Sequence, residues 1–368
     1  MLITQYTKGI LLIRDAFEGK IQYFQVMDES GSIDQSLMPP ELTDAKLLDM
    51  LKLMLLTRNA DAKAISLQRQ GRAATYAPTL GEEAVNIGTA TAMRKNDIFV
   101  PAFRQHGVYF ARGLPMRLFY LYWMGFEEGN MIPPEVHGFP MAVPVSTQMP
   151  HSVGLAFAQK YKKTGNAVIA YIGDGGTSQG DFYEAINFAG VWHVPLVVVI
   201  QNNQWAISVP RSKQSAATTL AQKAFAAGIP GVQVDGNDAI AVYKATAQAL
   251  KDAANGPSVI ECVTYRAGMH TTSDDPTKYR SEADVSEWLK KDPILRLKLY
   301  LAKKGLWSEQ IEAQVTDEQK KLIDSGVEEA EAFKPDPKSM FQNLYSFVPE
   351  TLDDELKDSE ANNFWQGE

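Results

Sequence analysis

Apolar positions along the chain follow two rhythms. Leu47, Leu48, Leu51, Met54 and Leu55 recur at helical spacing behind a Leu42-Thr43-Asp44 start, where Asp44 can cap. A second helix is expected to begin near Gly81, with Ala84, Ile87, Gly88 and Ala92 as its small-residue face. Further on the rhythm changes. Residues 167–172 (AVIAYI), 195–200 (PLVVVI), 231–234 and 257–265 (PSVIECVTY) are short, almost continuously apolar runs. Between them lie helical patterns, one through Phe182, Ala185, Ile186 and Ala189 and one over residues 239–254. Continuous apolar strands alternating with helices predict an α/β fold, a parallel sheet covered on both faces. Ligands in such sheets bind beyond the carboxyl ends of the strands. Loops 173–180, 201–210 and 266–282 leave those ends, which places the site there.

The flanks read differently. Residues 1–40 end at Met38-Pro39-Pro40 and are expected to form an N-terminal arm. Residues 41–333 carry the α/β domain, closed by a charged helical stretch over 284–330. The break at Lys334-Pro335-Asp336-Pro337 opens a tail, 334–368. The sequence shows no internal repeat and no low-complexity segment.

Composition narrows the class. The 368 residues are 45% hydrophobic and 22% charged, which excludes disordered, collagenous and coiled-coil proteins. A net charge of −8 without a basic run argues against nucleic-acid binding. Cys262 is the one cysteine, so an internal disulfide is impossible and a reducing compartment is expected. The apolar runs at 10–13 and 195–200 are far shorter than the ~20 residues of a membrane span. The first of them is followed by Asp15, Glu18 and Asp28, unlike a signal peptide. The expected location is cytoplasmic.

The sharpest chemical signal follows the first long strand. Gly173-Asp174-Gly175-Gly176 closes it, and Asn202-Asn203 closes the next. A dinucleotide fingerprint would need glycine where Ser178 stands, and a phosphate-binding lysine loop would need lysine where Asp181 stands. A carboxylate, Asp174, and an amide, Asn203, remain at the ends of two strands, with the Trp205 carbonyl nearby. Hard oxygen ligands without thiolate or imidazole suit magnesium or calcium, not zinc. Gly175 and Gly176 leave room for a phosphate at the start of the next helix, where anions are favoured. Either piece alone is an ordinary turn or loop. Together, each after an apolar strand, they argue for a metal–diphosphate site.

The same residues carry a resemblance. Residues 173 through 203 are similar to the thiamine-diphosphate motif. Residues 173–182 (GDGGTSQGDF), 201–208 (QNNQWAIS) and 220–236 (LAQKAFAAGIPGVQVDG) resemble the α subunit of the decarboxylating component of 2-oxo acid dehydrogenase complexes. So do 68–76 (QRQGRAATY), 81–84 (GEEA) and 270–280 (HTTSDDPTKYR), and the likeness runs from about residue 20 to about 345. Within that family the two-chain bacterial branch acting on pyruvate is nearest and the branched-chain branch next. Residues 235–238 and 271–275 lean towards the second, and 220–236 and 173–182 towards the first.

The resemblance implies specific roles. Asp174, Asn203 and the Trp205 carbonyl would hold Mg²⁺, and Gly175 and Gly176 would face the diphosphate. Arg104 matches an arginine that contacts a phosphate, a task suited to a guanidinium fork. Phe103 stands where the family usually has tyrosine. Val143 and Val145 match positions that line the cofactor between its rings. Pro144, Thr147 and Gln148 resemble a K⁺ site, with Ala142 at one of its usual serine positions. His270, at the head of a loop, matches a histidine beside the diphosphate that serves acyl transfer. A second catalytic histidine of bacterial relatives is matched by Glu128, with His137 in the same segment, so Glu128, His137 or the other chain carries that role. His106 lies two residues after Arg104 and is a further candidate, whereas His151 and His193 read as structural.

The implied reaction is thiamine-diphosphate-dependent oxidative decarboxylation of a 2-oxo acid, pyruvate first, with reductive acylation of a lipoyl group. A β subunit would supply the glutamate at the pyrimidine ring. Two α and two β chains would assemble and dock on a lipoyl-bearing acyltransferase core. A branched-chain 2-oxo acid enzyme is the nearest rival. A single-chain transketolase-like enzyme lacks room for its second domain, and a Rossmann-like binding protein is the non-enzymatic reading.

Overall fold

A computed structural model describes residues 17–336 and 338–362. Residues 1–16 of the expected arm, including the apolar run at 10–13 and Asp15, lie outside them, as do 337 and 363–368 of the expected tail.

The sheet has six strands in the order β1-β7-β8-β4-β3-β2, all parallel. They are β1 (Tyr23–Phe24), β2 (Ile98–Val100), β3 (Val168–Gly173), β4 (Leu196–Asn202), β7 (Gly231–Asp235) and β8 (Ser258–Val263). A separate hairpin pairs β5 (Trp205–Ala206) with β6 (Val209–Pro210). The helices are α1 (Asp44–Arg69), α2 (Glu83–Ala92), α3 (His106–Ala111), α4 (Met116–Trp123), α5 (Gln148–Tyr161), α6 (Gly180–Trp192), α7 (Arg211–Gln214), α8 (Ala239–Asp252), α9 (Glu282–Leu289), α10 (Pro293–Lys303) and α11 (Glu309–Glu331), followed by two in the C-terminal region.

The apolar runs become strands because both of their faces are covered. Successive side chains of a strand point to opposite sides. Ile169, Tyr171, Val197 and Val199 join one core with residues of α4, α8 and α11. Val168, Ala170, Ile172, Val198 and Ile200 join the other with Met149, Val153, Phe182, Ala185 and Ile186 of α5 and α6. All seven residues of β4 are buried, so its pattern has no polar beat. A third core packs α1 against α10, with Val26 and Met27 from the segment after β1.

Three details depart from the sequence reading. The α1 cap is Thr43, whose Oγ1 accepts the Lys46 N–H at 3.4 Å, and Asp44 is the first helical residue. Strands β1 and β2 were not expected; with two and three residues, neither is long enough to show a period. Finally, β1 ties residues 23–24 into the sheet beside β7. The next two amides, Val26 and Met27, donate to Asp238 Oδ2, each at 2.7 Å. Asp238 Oδ1 meanwhile caps α8 through Ile240 and Ala241. Below it, fully buried Arg296 pairs with Asp235 at 2.7 Å and donates to the Met27 carbonyl. Helix α2 starts at Glu83, two residues past Gly81, and lays Gly88 against Val242 of α8.

Among the described residues no helix is long and apolar enough to cross a membrane.

Candidate functional site

Strands β3 and β4 are neighbours, with Gly173 level with Gln201. Asp174 and Asn203 therefore leave adjacent strands at the same end of the sheet, as the strand pattern implied. A cavity of about 260 Å³ opens there, lined by both residues and by Gly175, Gly176, Trp205, Arg104 and His270 among others.

Asp174 is 1% exposed, and its Oδ2 has no hydrogen-bond partner among the described residues. Burial pushes this carboxyl up to about 6, while Arg266 and Arg211 oppose the shift. An unpartnered buried carboxylate oxygen is costly unless a cation answers it. Asn203 donates through Nδ2 to Glu82 and accepts the Trp205 N–H at 3.2 Å on Oδ1. The two glycines are required by space. A Cβ on Gly175 would lie 2.7 Å from the Ala206 Cβ, and one on Gly176 would lie 2.6 Å from Ile172. No group of three His, Cys, Asp or Glu side chains comes together among the described residues. A cation at Asp174 would thus take its other ligands from amide and carbonyl oxygens and from an anionic ligand, the set magnesium prefers.

Arg104 is buried beneath the loop that follows β8. Its guanidinium donates to the Pro78 carbonyl at 2.5 Å and to the His270 carbonyl at 2.7 Å. The same nitrogen lies 2.9 Å from His270 Nδ1, and Arg266 lies 3.3 Å from it. Burial first, then these two cations, pull His270 down to about 4, so the ring is neutral near pH 7. Asp274 accepts the His270 backbone N–H at 2.9 Å and the Tyr279 hydroxyl at 2.5 Å, which pins the head of the loop.

A second cavity of about 480 Å³ adjoins the first and shares Phe103, Val145, Ile207 and His270 with it. Val143 lines this second cavity. Val143 and Val145 are 54% and 52% exposed, unlike other residues of their type near the sheet. Thr147 donates to the Pro144 carbonyl at 2.9 Å, and Gln148 donates to the Tyr171 carbonyl at 2.7 Å. The Gln148 Oε1 and the Ser146 hydroxyl are buried without partners among the described residues. Glu128 and His137 line neither cavity. His106 is fully buried and stacks on Tyr76, with Nε2 3.0 Å from the Ala77 carbonyl, so it is a core residue of α3.

The sequence reading left Glu82, Gln105, Gln201 and Arg266 without a role. Glu82 lines the cavity at 0% exposure, and burial pushes it up to about 7 against the pull of Arg104 and the Asn203 amide. One signal was available. Gln201 is a polar residue inside the last turn of an otherwise apolar strand, which asks for a buried partner.

The sheet, the paired strand ends and the close glycines define an α/β protein with a cavity lined by buried oxygen donors at the carboxyl ends of its strands. The chain belongs to the family described as the dehydrogenase E1 component, whose pattern matches residues 51–338. It is 43% identical over 339 residues to the pyruvate dehydrogenase E1 component subunit alpha of Staphylococcus aureus (strain Mu50), covering 91% of this chain and 92% of that protein. The protein of the same name in Staphylococcus epidermidis (strain RP62A) is 42% identical over the same shares. The parallel α/β fold expected from the apolar pattern is the fold observed.

Proposed function

We propose that the chain is the α subunit of a pyruvate dehydrogenase (acetyl-transferring) component. With a β chain it carries out oxidative decarboxylation of pyruvate and reductive acetylation of a lipoyl group. The observation that carries this reading is Asp174, a buried carboxylate with an unanswered oxygen beside two glycines that admit no side chain. The names of its relatives favour pyruvate over branched acids.

Bound thiamine diphosphate supplies an electron sink for loss of carbon dioxide. In this reading Asp174, Asn203 and the Trp205 carbonyl hold Mg²⁺, and the backbone of Gly175 and Gly176 meets the diphosphate. Arg104 sets one wall and fixes His270. Phe103, Val143 and Val145 form the apolar side, which keeps water from the reacting carbon. Two guanidinium groups face His270 Nδ1, so that atom accepts and the ring proton sits on Nε2. Nε2–H would then be available to donate to a substrate oxygen, since His270 lines both cavities. That neither Glu128 nor His137 lines either cavity supports assigning the second proton donor to the β chain. The unpartnered Gln148 Oε1, near Pro144 and Thr147, supports the K⁺ site.

Val143 and Val145, half exposed at the cavity mouth, support closure of the site by a β chain in a two-α, two-β assembly. The assembly docks on a lipoyl-bearing acyltransferase core in the cytoplasm. The test is co-expression with the candidate β chain from the same genome. Decarboxylation of pyruvate and of 3-methyl-2-oxobutanoate is followed with Mg²⁺, thiamine diphosphate and an artificial electron acceptor. Activity in the mixture alone, faster on pyruvate, is expected. Faster turnover of the branched acid would overturn the substrate, and failure of the mixture to bind the cofactor would overturn the site.

A further inference from the structure

Behind the cation side of the cavity runs a line of buried polar side chains. The Ala102 backbone N–H donates to Gln105 Oε1 at 2.8 Å. Gln105 Nε2 donates to Gln201 Oε1. Gln201 Nε2 donates to Glu82 Oε2 at 2.8 Å, and Glu82 Oε1 accepts from Asn203 Nδ2 at 3.0 Å. Glu82 is fully buried and the three amide residues are at most 5% exposed, so the links are shielded from bulk solvent.

The direction of this line is set from both ends. A backbone N–H only donates, so Gln105 must meet it with oxygen and turn its nitrogen to Gln201. In its ionised form, which Arg104 at 3.9 Å favours, Glu82 only accepts, so Gln201 and Asn203 both turn nitrogen towards it. Each amide can turn either way in isolation. Only one set of orientations puts a donor against an acceptor at every link. It leaves Asn203 Oδ1 on the far side, where the Trp205 N–H takes one lone pair and the other is free. An Asn203 turned the other way would present an NH₂ group to a cation.

We infer that Glu82, through the Gln105–Gln201 relay, is a positioning residue that fixes which end of the Asn203 amide faces the cation beside Asp174. The relay also ties that orientation to residues 102–105, so the Arg104 segment and the metal ligand are set by one hydrogen-bonded unit. The inference rests on the assignment of Asp174 and Asn203 as cation ligands.

Its test is the affinity of the assembled α–β protein for Mn²⁺ in the presence of thiamine diphosphate, read from the free-ion electron paramagnetic resonance signal. Glu82→Gln keeps the shape but sets one NH₂ group against another. Relief comes by turning Asn203 or by abandoning the Ala102 N–H. Mn²⁺ affinity is expected to fall about 10–100-fold, the range for lost outer-shell partners, with the thermal midpoint of the metal-free protein little changed. Glu82→Gln combined with Asn203→Asp restores a donor–acceptor match, because the new amide donates to the new carboxylate while the carboxylate's other oxygen faces the cation. Affinity should return to within a few-fold of the parent. Gln201→Leu, which cuts the relay, should weaken Mn²⁺ about tenfold. If Asp174→Ala loses Mn²⁺ but Glu82→Gln binds it like the parent, the positioning role is overturned and the site stands. A double variant no better than Glu82→Gln alone overturns it equally. A parent assembly that binds no Mn²⁺ overturns the ligand assignment and, with it, this inference.

Discussion

Helices α2 and α8 meet at Gly88, where two opposing effects decide the outcome of adding one methyl group. A Cβ at Gly88 would lie 2.8 Å from both Cβ and Cγ1 of Val242 and 2.9 Å from the Ala239 carbonyl oxygen. Ordinary carbon contacts are about 3.5–4.0 Å, so the helices would have to part by roughly 0.7–1.2 Å. Neither helix is free to do so: Asp238 holds the start of α8 to the 26–27 segment, and α2 carries Glu83 paired with Arg58 at 2.8 Å. Overpacking of this kind costs about 1–3 kcal/mol. Against it, alanine in a helix interior is favoured over glycine by about 1 kcal/mol. The net expectation for Gly88→Ala is a loss of up to about 2 kcal/mol, to be set against a typical total of 5–15 kcal/mol. Urea unfolding of the purified protein should show a lower midpoint with an unchanged slope. Val242→Ala in the same chain removes one of the crowded atoms, so the double variant should lose less than the two single losses added. A Gly88→Ala midpoint at or above that of the parent would refute the packing argument.

Arg296→Met leaves Asp235 buried without its cation and should cost about 3–5 kcal/mol in the same unfolding assay, with part of the loss recovered by adding Asp235→Asn; an unchanged midpoint would show that the pair is idle. Burial holds His106 down to about 4, whereas an unfolded histidine titrates near 6.5. The unfolded chain therefore takes up a proton that the folded one refuses, and stability drains away as pH falls from about 6.5 to 4, by at most about 3 kcal/mol. Parent and His106→Gln unfolding curves should converge over that window, and a pH-independent difference would contradict the assignment. Gly175→Ala pushes a Cβ onto Ala206, so titration of the α–β assembly should show thiamine diphosphate binding weakened about tenfold; binding equal to the parent would remove Gly175 from the site.

What the sequence shows clearly is what depends on local pattern. Strands β3, β4 and β8 are legible because burial on both faces leaves nearly continuous apolar runs, the half-buried β7 shows only a short one, and Asp174 and Asn203 are legible because they follow two of those runs. Strands β1 and β2 are not, since two or three residues carry no period and exist only because a neighbouring strand supplies hydrogen bonds. Glu82 sits in a segment quoted for its likeness alone, because its partners Asn203 and Gln201 are about 120 positions away. His106 was a reasonable candidate beside Arg104, yet on α3 it turns into the aromatic core around Tyr76 and Trp123. Glu128 is a match of position and His137 only shares its segment, and neither likeness fixes the direction or the reach of a side chain.

The bond between the 26–27 amides and Asp238 spans 212 and 211 positions of sequence. A ribosome adds about 5–20 residues per second, so roughly 10–40 s separate the synthesis of the two partners. Throughout that interval the nascent segment after β1 has neither its strand neighbour nor the carboxylate that will anchor it. Its amides can settle only when the β7–α8 turn has left the exit tunnel. This early-made piece of the chain is thus among the last to dock, and a growing chain stalled before residue 238 should leave residues 23–27 open to proteolysis where the released protein protects them.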